Sequence, residues 1–336
     1  MIFLYKSLFM STLILGTFTA ISANSWIGMW MGLEINLLSI IPLMNNSKNL
    51  MSSEASLKYF ITQALASMFI LLAALISTFK TMGSNLIICD LPNLIIMSSL
   101  LTKMGAAPFH FWFPQVLEGL SWMNSFIMLT WQKIAPMIIM FYLPFSQLIM
   151  LVMVTCLITS ALMGLNQTSM RKILVYSSIN HIAWMLSSLM FNEMIWLVYF
   201  SIYSIMNLMI IIILKKINLF QISQLGLNSL SPKMKMMFML NFFSLGGIPP
   251  FIGFLPKWWV IQLMAEEKLY LLSLTMIILT LFTLFYYMRI ALPSFNLVSA
   301  SNMKTTWNKP MMKNPLITSF TVLSSLPYLA LTLNWI

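Results

Sequence analysis

Four ionisable side chains, Glu34, Lys103, Lys133 and Lys257, stand inside long apolar stretches of this chain. A charged residue at the centre of a membrane helix costs about 2.5–3.5 kcal/mol on insertion scales, and such residues mark ion or proton pathways. Lysine suits a proton path because two opposing energies are of similar size. Neutralising a free lysine, with a pKa of about 10.4, costs roughly 4–5 kcal/mol at pH 7. Desolvation at membrane depth disfavours the ammonium by a comparable amount, so amine and ammonium are both accessible and a carboxylate at variable distance tips the balance. Glu34 and Lys103 are expected to form such a tunable pair, with Lys133 and Lys257 as successive stations. Translocating one charge against 100 mV requires about 2.3 kcal/mol, well within the reach of modest changes in pairing. His110 and His181 are candidate relays, since imidazole titrates near neutrality.

Each assignment has a plainer alternative. Glu34 can be a structural carboxylate bonded to a neighbouring helix. Lys103 and Lys257 can extend along the apolar surface and place their ammonium groups at a membrane interface. Lys133 has least room to do so, having no charged residue within ten positions on either side. The histidines can instead bond carbonyls freed by a helix break. Glu54 and Lys58, four apart near a helix start, read as a surface pair. Glu118, Glu193, Glu266 and Glu267 read as solvated loop charges.

The elements that must position these groups are apolar helices. Turn and charge signals divide the chain into eleven segments, approximately 8–22, 25–44, 55–79, 92–113, 122–143, 147–165, 172–190, 194–214, 236–265, 270–291 and 315–334. The fourth and ninth hold prolines, Pro108 and Pro114 in one and Pro249, Pro250 and Pro256 in the other, and are expected to be broken helices. Irregular backbone at membrane depth is tolerated only where protein or water satisfies it. The fold class is therefore an all-α polytopic membrane protein of about eleven helices.

The two interrupted segments also resemble each other. Gly105-Ala106-Ala107-Pro108-Phe109-His110-Phe111-Trp112-Phe113-Pro114 aligns with Gly247-Ile248-Pro249-Pro250-Phe251-Ile252-Gly253-Phe254-Leu255-Pro256 at an offset of 142 residues. An odd number of crossings separates the copies, so they run in opposite directions, as in inverted-repeat transporters. The expected division is one repeat over about 1–145, a second over about 146–292, and a C-terminal helix over about 315–334, all within one transmembrane domain.

Charge supports the segmentation. Of the 18 basic residues, 13 fall on the side of the N-terminus, Lys80 and Lys268 fall on the other, and the three lysines discussed above lie between. Basic loops stay on the side of synthesis, so the N-terminus is expected in the matrix or cytoplasm and the C-terminus on the opposite side.

Composition excludes several classes. Charged residues make up 7% of the 336 and apolar residues 60%, where a soluble domain has about 25% charged. The net charge of +11 resides in loops, so it signals topology and not a nucleic-acid partner. The two cysteines, Cys89 and Cys156, and the two histidines form no zinc or iron–sulfur pattern. There is no glycine-rich nucleotide loop. No redox cofactor or metal is expected in this chain. The 33 methionines fit flexible core filling and also a mitochondrial genome, in which an isoleucine codon is reassigned. No Arg- and Ser-rich leader is expected.

Seven segments carry a resemblance: Trp30–Leu38 (WMGLEINLL), Glu54–Phe60 (EASLKYF), Lys103–Pro114 (KMGAAPFHFWFP), Met128–Pro136 (MLTWQKIAP), Asn166–Arg171 (NQTSMR), Ser177–His181 (SSINH) and Leu245–Lys257 (LGGIPPFIGFLPK). With them the chain resembles the NADH dehydrogenase subunit 2 family of mitochondrial respiratory complex I, as found in insects and similar animals. The sequence beyond Lys268 contributes little. The resemblance implies an antiporter-like membrane-arm subunit, related to Mrp-type sodium/proton antiporter subunits. It implies two inverted five-helix repeats, each with a broken helix, and an animal form lacking three N-terminal helices of the fourteen-helix bacterial form. The family's glutamate maps to Glu34, its first broken-helix lysine to Lys103, its central lysine to Lys133 and its second broken-helix lysine to Lys257.

The function so implied is proton translocation across the mitochondrial inner membrane, coupled to electron transfer from NADH to ubiquinone. The chain takes part in an enzyme as a subunit and performs no redox chemistry itself; FMN, iron–sulfur clusters and ubiquinone are expected in other subunits. Partners would be other complex I subunits, including neighbouring antiporter-like ones, and inner-membrane lipids such as cardiolipin. Two other readings stay open: an independent cation/proton antiporter, active alone in liposomes, and a mainly structural subunit whose buried charges hold the membrane arm together.

Overall fold

The computed structural model describes residues 2–45, 49–81, 91–144, 147–224, 232–249 and 251–295. Among these, the regular structure is helical: α1 (Ile2–Ser22), α2 (Trp26–Met44), α3 (Leu50–Thr81), α4 (Leu91–Met104), α5 (Trp112–Gly119), α6 (Trp122–Leu129), α7 (Trp131–Met140), α8 (Gln147–Leu165), α9 (Met170–Phe191), α10 (Glu193–Ile217), α11 (Pro232–Gly246), α12 (Phe254–Glu266) and α13 (Tyr270–Phe295). Six of them, α2, α3, α8, α9, α10 and α13, are each long and apolar enough to cross a membrane. The expected segment 315–334, Pro250 and the basic residues Lys48, Lys304, Lys309 and Lys313 lie outside the described residues.

Local chemistry sets several ends. Ser25 caps α2, its hydroxyl accepting from the Gly28 N–H, and Asn192 caps α10, accepting from the Met194 N–H. Asn218 ends α10 in the left-handed region that asparagine tolerates. Glu193, expected in a loop, is exposed in the first turn of α10, where a negative charge suits the helix dipole. Glu118, also expected in a loop, is exposed in the last turns of α5, because the helix re-formed after the first break runs on to Gly119. Glu54 and Lys58 form the exposed pair anticipated for them, at 2.7 Å.

Two compact units emerge. One contains Met1–Thr159 with Leu174–Met190; the other contains Ser160–Ile173 and the chain from Phe191. Small residues let α1 and α2 meet closely within the first unit. A Cβ on Gly32 would stand 2.4 Å from the backbone nitrogen of Ala20, and one on Gly16 would stand 2.9 Å from that of Asn36. Such contacts drive helix association in lipid, where apolar surface alone does not. Gly32→Val is expected to force the pair apart and lower the amount of folded chain in the membrane, measurable by immunoblot; an unchanged level would contradict this packing.

Both expected interruptions are present as gaps between helices, α4 to α5 and α11 to α12. The two upstream helices end in the same way. Gly105 and Gly247 take φ of +74° and +73°, values that glycine adopts without a Cβ clash. The Gly105 N–H donates to the Thr102 carbonyl and the Ala106 N–H to that of Leu101; the Gly247 N–H donates to Ser244 and the Ile248 N–H to Phe243. These are paired Schellman caps, and both bonds recur at the 142-residue offset. Past each break, Phe113 donates to His110 and Leu255 to Ile252, again in register.

Three expectations need correction. Pro114 and Pro256 do not break helices: each sits third in α5 or α12, in the first turn, where a missing N–H costs nothing. The interruptions belong to Gly105–Phe111, which holds Pro108, and to the stretch after Gly246, which holds Pro249. Segment 122–143 is not one helix. It divides at Thr130, between α6 and α7, three residues before Lys133. Pro136 cannot donate to the Gln132 carbonyl, and the Thr130 hydroxyl bonds back to the Phe126 carbonyl at 2.8 Å, a contact that bends helices.

Candidate functional site

All three lysines are buried in the protein: Lys103 is 7% exposed, Lys133 1% and Lys257 5%. None therefore reaches out along the apolar surface.

Lys103 lies in the last turn of α4, two residues before the Gly105 cap. The carbonyl end of a helix carries partial negative charge and favours a cation. Glu34, midway along α2, acts electrostatically on Lys103 and on Tyr59. Its Oε2 is buried and has no hydrogen-bond partner among the described residues. A small cavity beside Lys103, with room for about one water molecule, is lined by Asn36, Tyr59, Gln63 and Gln132 together with apolar side chains. Three of these polar groups are linked. The Tyr59 hydroxyl donates to Gln132 Oε1 at 3.3 Å, and Gln132 Nε2 donates to Asn36 Oδ1 at 2.9 Å. Since Gln132 immediately precedes Lys133 in the chain, this network joins the neighbourhood of the Glu34–Lys103 pair to the backbone of the central lysine.

Lys133 projects from α7 toward α9 and α5. Its Nζ donates to the Ser178 carbonyl over a long 3.5 Å, and lies 5.5 Å from the centre of the Phe113 ring. His181, buried at 1% exposure, follows Ser178 by three positions on α9 and so shares its face. His110 lies within the first break, 3% exposed, stacked on Phe111 and edge-on to Tyr176 of α9. The first unit thus contains Glu34, Lys103, Lys133, His110 and His181.

Lys257 belongs to the second unit. It lies in the first turn of α12 yet reaches back across the break, donating from Nζ to the Gly246 carbonyl at 2.9 Å. A Cβ on Gly247 would stand 2.9–3.2 Å from Lys257 Cδ, Nζ and Cε, so glycine there both permits the turn and leaves space for the lysine. At the first break, the carbonyl of Thr102 is met by the Trp112 indole N–H at 3.1 Å. The broken backbone is therefore satisfied in part by an aromatic donor in one unit and by an ammonium in the other.

Sequence reasoning missed Asn36, Tyr59, Gln63 and Gln132. A signal was present: Asn36 and Gln132 stand beside Glu34 and Lys133 in otherwise apolar runs, and Tyr59 and Gln63 are four apart, hence on one face of α3. Among the described residues no cluster of His, Cys, Asp or Glu is suited to a metal ion.

Comparison with known proteins follows the same lines as the fold. Residues 23–283 match the family described as NADH:quinone oxidoreductase/Mrp antiporter, TM. The NADH-ubiquinone oxidoreductase chain 2 of Anopheles gambiae is 46% identical over 321 residues, covering 94% of each chain. That of Locusta migratoria is 44% identical, covering 97% of this chain and 95% of its own. A chain of the respiratory complex I from Thermus thermophilus shares the fold with a TM-score of 0.83 at 24% identity, over 97% of this chain and 77% of that one. This chain belongs to the NADH:quinone oxidoreductase/Mrp antiporter membrane family and, within it, to the NADH-ubiquinone oxidoreductase chain 2 proteins.

Proposed function

We propose that this chain is a core membrane-arm subunit of respiratory complex I and carries protons across the mitochondrial inner membrane, driven by electron transfer from NADH to ubiquinone. The observation that carries the reading is the burial of three lysines inside a polytopic helical protein, one of them lining a polar cavity beside a broken helix within the electrostatic influence of Glu34. Buried amines of this kind can gain and lose a proton away from bulk solvent.

In this reading Glu34 and Lys103 are the tunable pair. A change in their separation alters the charge state of Lys103, and the Tyr59–Gln132–Asn36 network keeps that change electrically close to Lys133. Lys257 serves the second unit, with the Gly246 carbonyl stabilising its ammonium form. His110 and His181 are relay candidates. The chain's own side chains bind and release protons. FMN, iron–sulfur clusters and ubiquinone are assigned to other subunits, with which this chain assembles.

The finer architecture is part of the proposal. Eleven crossings place the N-terminus in the matrix and the C-terminus in the intermembrane space, with basic loops on the matrix side. Two inverted repeats, about 1–145 and 146–292, are supported by the capping bonds shared at the 142-residue offset. Exposed apolar side chains on the long helices, such as Leu65, Met68, Leu281 and Phe285, would face lipid, cardiolipin included, or neighbouring subunits.

Two measurements test it. On a native gel of inner membranes, the chain should co-migrate with NADH-oxidising activity in one very large assembly. In vesicles of that membrane, Glu34→Gln should lower NADH-driven proton movement about tenfold, equivalent to roughly 1.4 kcal/mol of lost coupling. Normal pumping by the variant, or migration apart from the activity, would overturn the assignment.

A further inference from the structure

The first break leaves Ala107 outside any helix and fully buried. Backbone groups in such a place must find partners within the protein. Two consecutive side chains of α8 supply them. The Ala107 N–H donates to Cys156 Sγ at 3.1 Å. The Ala107 carbonyl accepts from Thr155 Oγ1 at 3.1 Å and from Cys156 Sγ at 3.7 Å. Thr155 shares its hydroxyl with the Val152 carbonyl of its own helix at 3.0 Å, which fixes its rotamer while it reaches Ala107. Cys156 is completely buried, and its thiol serves here as acceptor and weak donor at once.

The location of this contact gives it consequence. Ala107 follows Lys103 by four residues and the Gly105 cap by two. Cys156 lies within electrostatic range of Lys133. On its far side the break continues into α5, whose Phe113 packs against Lys133. A helix interrupted by glycine and proline has few fixed points of its own, so one anchored residue between its halves governs where each half points.

We propose that Thr155 and Cys156 are positioning residues for proton transfer: they clamp Ala107 and hold the lysine-bearing end of α4 in register with Lys133. Neither residue exchanges protons with the path. The inference rests on the proton-path reading above and extends it to α8.

The test uses the assembled complex in inner-membrane vesicles and reads protons moved per NADH oxidised. A residue important only for folding would reduce assembled complex and NADH oxidation together, leaving that ratio alone. Thr155→Val, which keeps the shape and removes the donor, should lower the ratio several-fold, and Thr155→Ser, which restores the hydroxyl, should return it to the wild-type value. A wild-type ratio in Thr155→Val, or failure of Thr155→Ser to restore it, overturns the clamp. Should Thr155→Val not assemble, Cys156→Ala carries the test: a lowered ratio supports the clamp and a wild-type ratio overturns it. Lys133→Met in the same vesicles separates the two ideas. Normal pumping by that variant defeats the proton path itself; impaired pumping there beside a wild-type ratio in the α8 variants defeats the clamp alone.

Discussion

Lys133→Met is expected to assemble normally and to lose proton pumping through this subunit, by at least about a hundredfold if the amine takes the proton in the rate-limiting transfer. The two expectations have one physical origin. Lys133 is 1% exposed, and its ammonium bears a desolvation penalty that methionine, of similar length and flexibility, does not. The bond from its Nζ to the Ser178 carbonyl is long, and the approach to the Phe113 ring is a weak one for a cation. Ser178 lies mid-helix in α9, where its carbonyl has the helix ladder as well. Removing the amine therefore leaves the Ser178 carbonyl with its ladder bond. Lys133→Arg makes the complementary test. A guanidinium keeps the charge but does not release its proton at any physiological pH, so pumping should be lost with the positive charge in place. If either variant moves protons at the wild-type rate, Lys133 is no station on the path. If Lys133→Met reduces assembly and the assembled fraction pumps normally, the structural reading prevails.

The ionisable groups were legible in the sequence because charge inside an apolar run is a local, costly anomaly. Glu34, Lys103, Lys133 and Lys257 stand out without any knowledge of their neighbours. The two interruptions were legible for a similar reason, as Gly–Pro runs inside otherwise helical segments. Less legible was what each proline does. Pro108 and Pro249 lie in the gaps, whereas Pro114 and Pro256 open new helices, and the difference depends on where the Gly105 and Gly247 caps end the preceding helix. The division at Thr130 was hidden because its causes are spread out: a hydroxyl bonding backward and a proline six residues downstream. The Asn36–Gln132–Tyr59 network joins positions 36, 132 and 59, from α2, α7 and α3. Such contacts are tertiary, and periodicity within one helix cannot announce them. The same holds for Thr155 and Cys156, which read as ordinary small residues of α8 until Ala107 is placed against them.

Gly253→Ala is expected to be the most damaging single-methyl change in the second unit, costing more than about 3 kcal/mol, beyond the usual range for overpacking. A Cβ there would stand 1.8 Å from the Ser244 carbonyl oxygen and 2.8 Å from its carbon. The obstacle is backbone, so no rotamer change relieves it. Ser244 is also the residue whose carbonyl accepts the Gly247 N–H in the cap that ends α11. Moving it aside would disturb the cap, the neighbouring Gly246 carbonyl and the ammonium of Lys257 bound there. The expected result is a large fall in assembled complex and in its thermal midpoint, with any surviving fraction impaired in pumping. Gly246→Ala is the matched control. Its Cβ would meet only Tyr287 Cδ2 at 3.5 Å and Leu284 Cγ at 3.9 Å, ordinary contacts, and it stands at a helix end where alanine costs no strain in right-handed backbone. It should assemble near the wild-type level. Equal tolerance of both substitutions would show that the half-helices of the second break do not approach as closely as Gly253 and Ser244 do here. The bond between Lys257 and Gly246 would then lose the rigid setting on which its role depends.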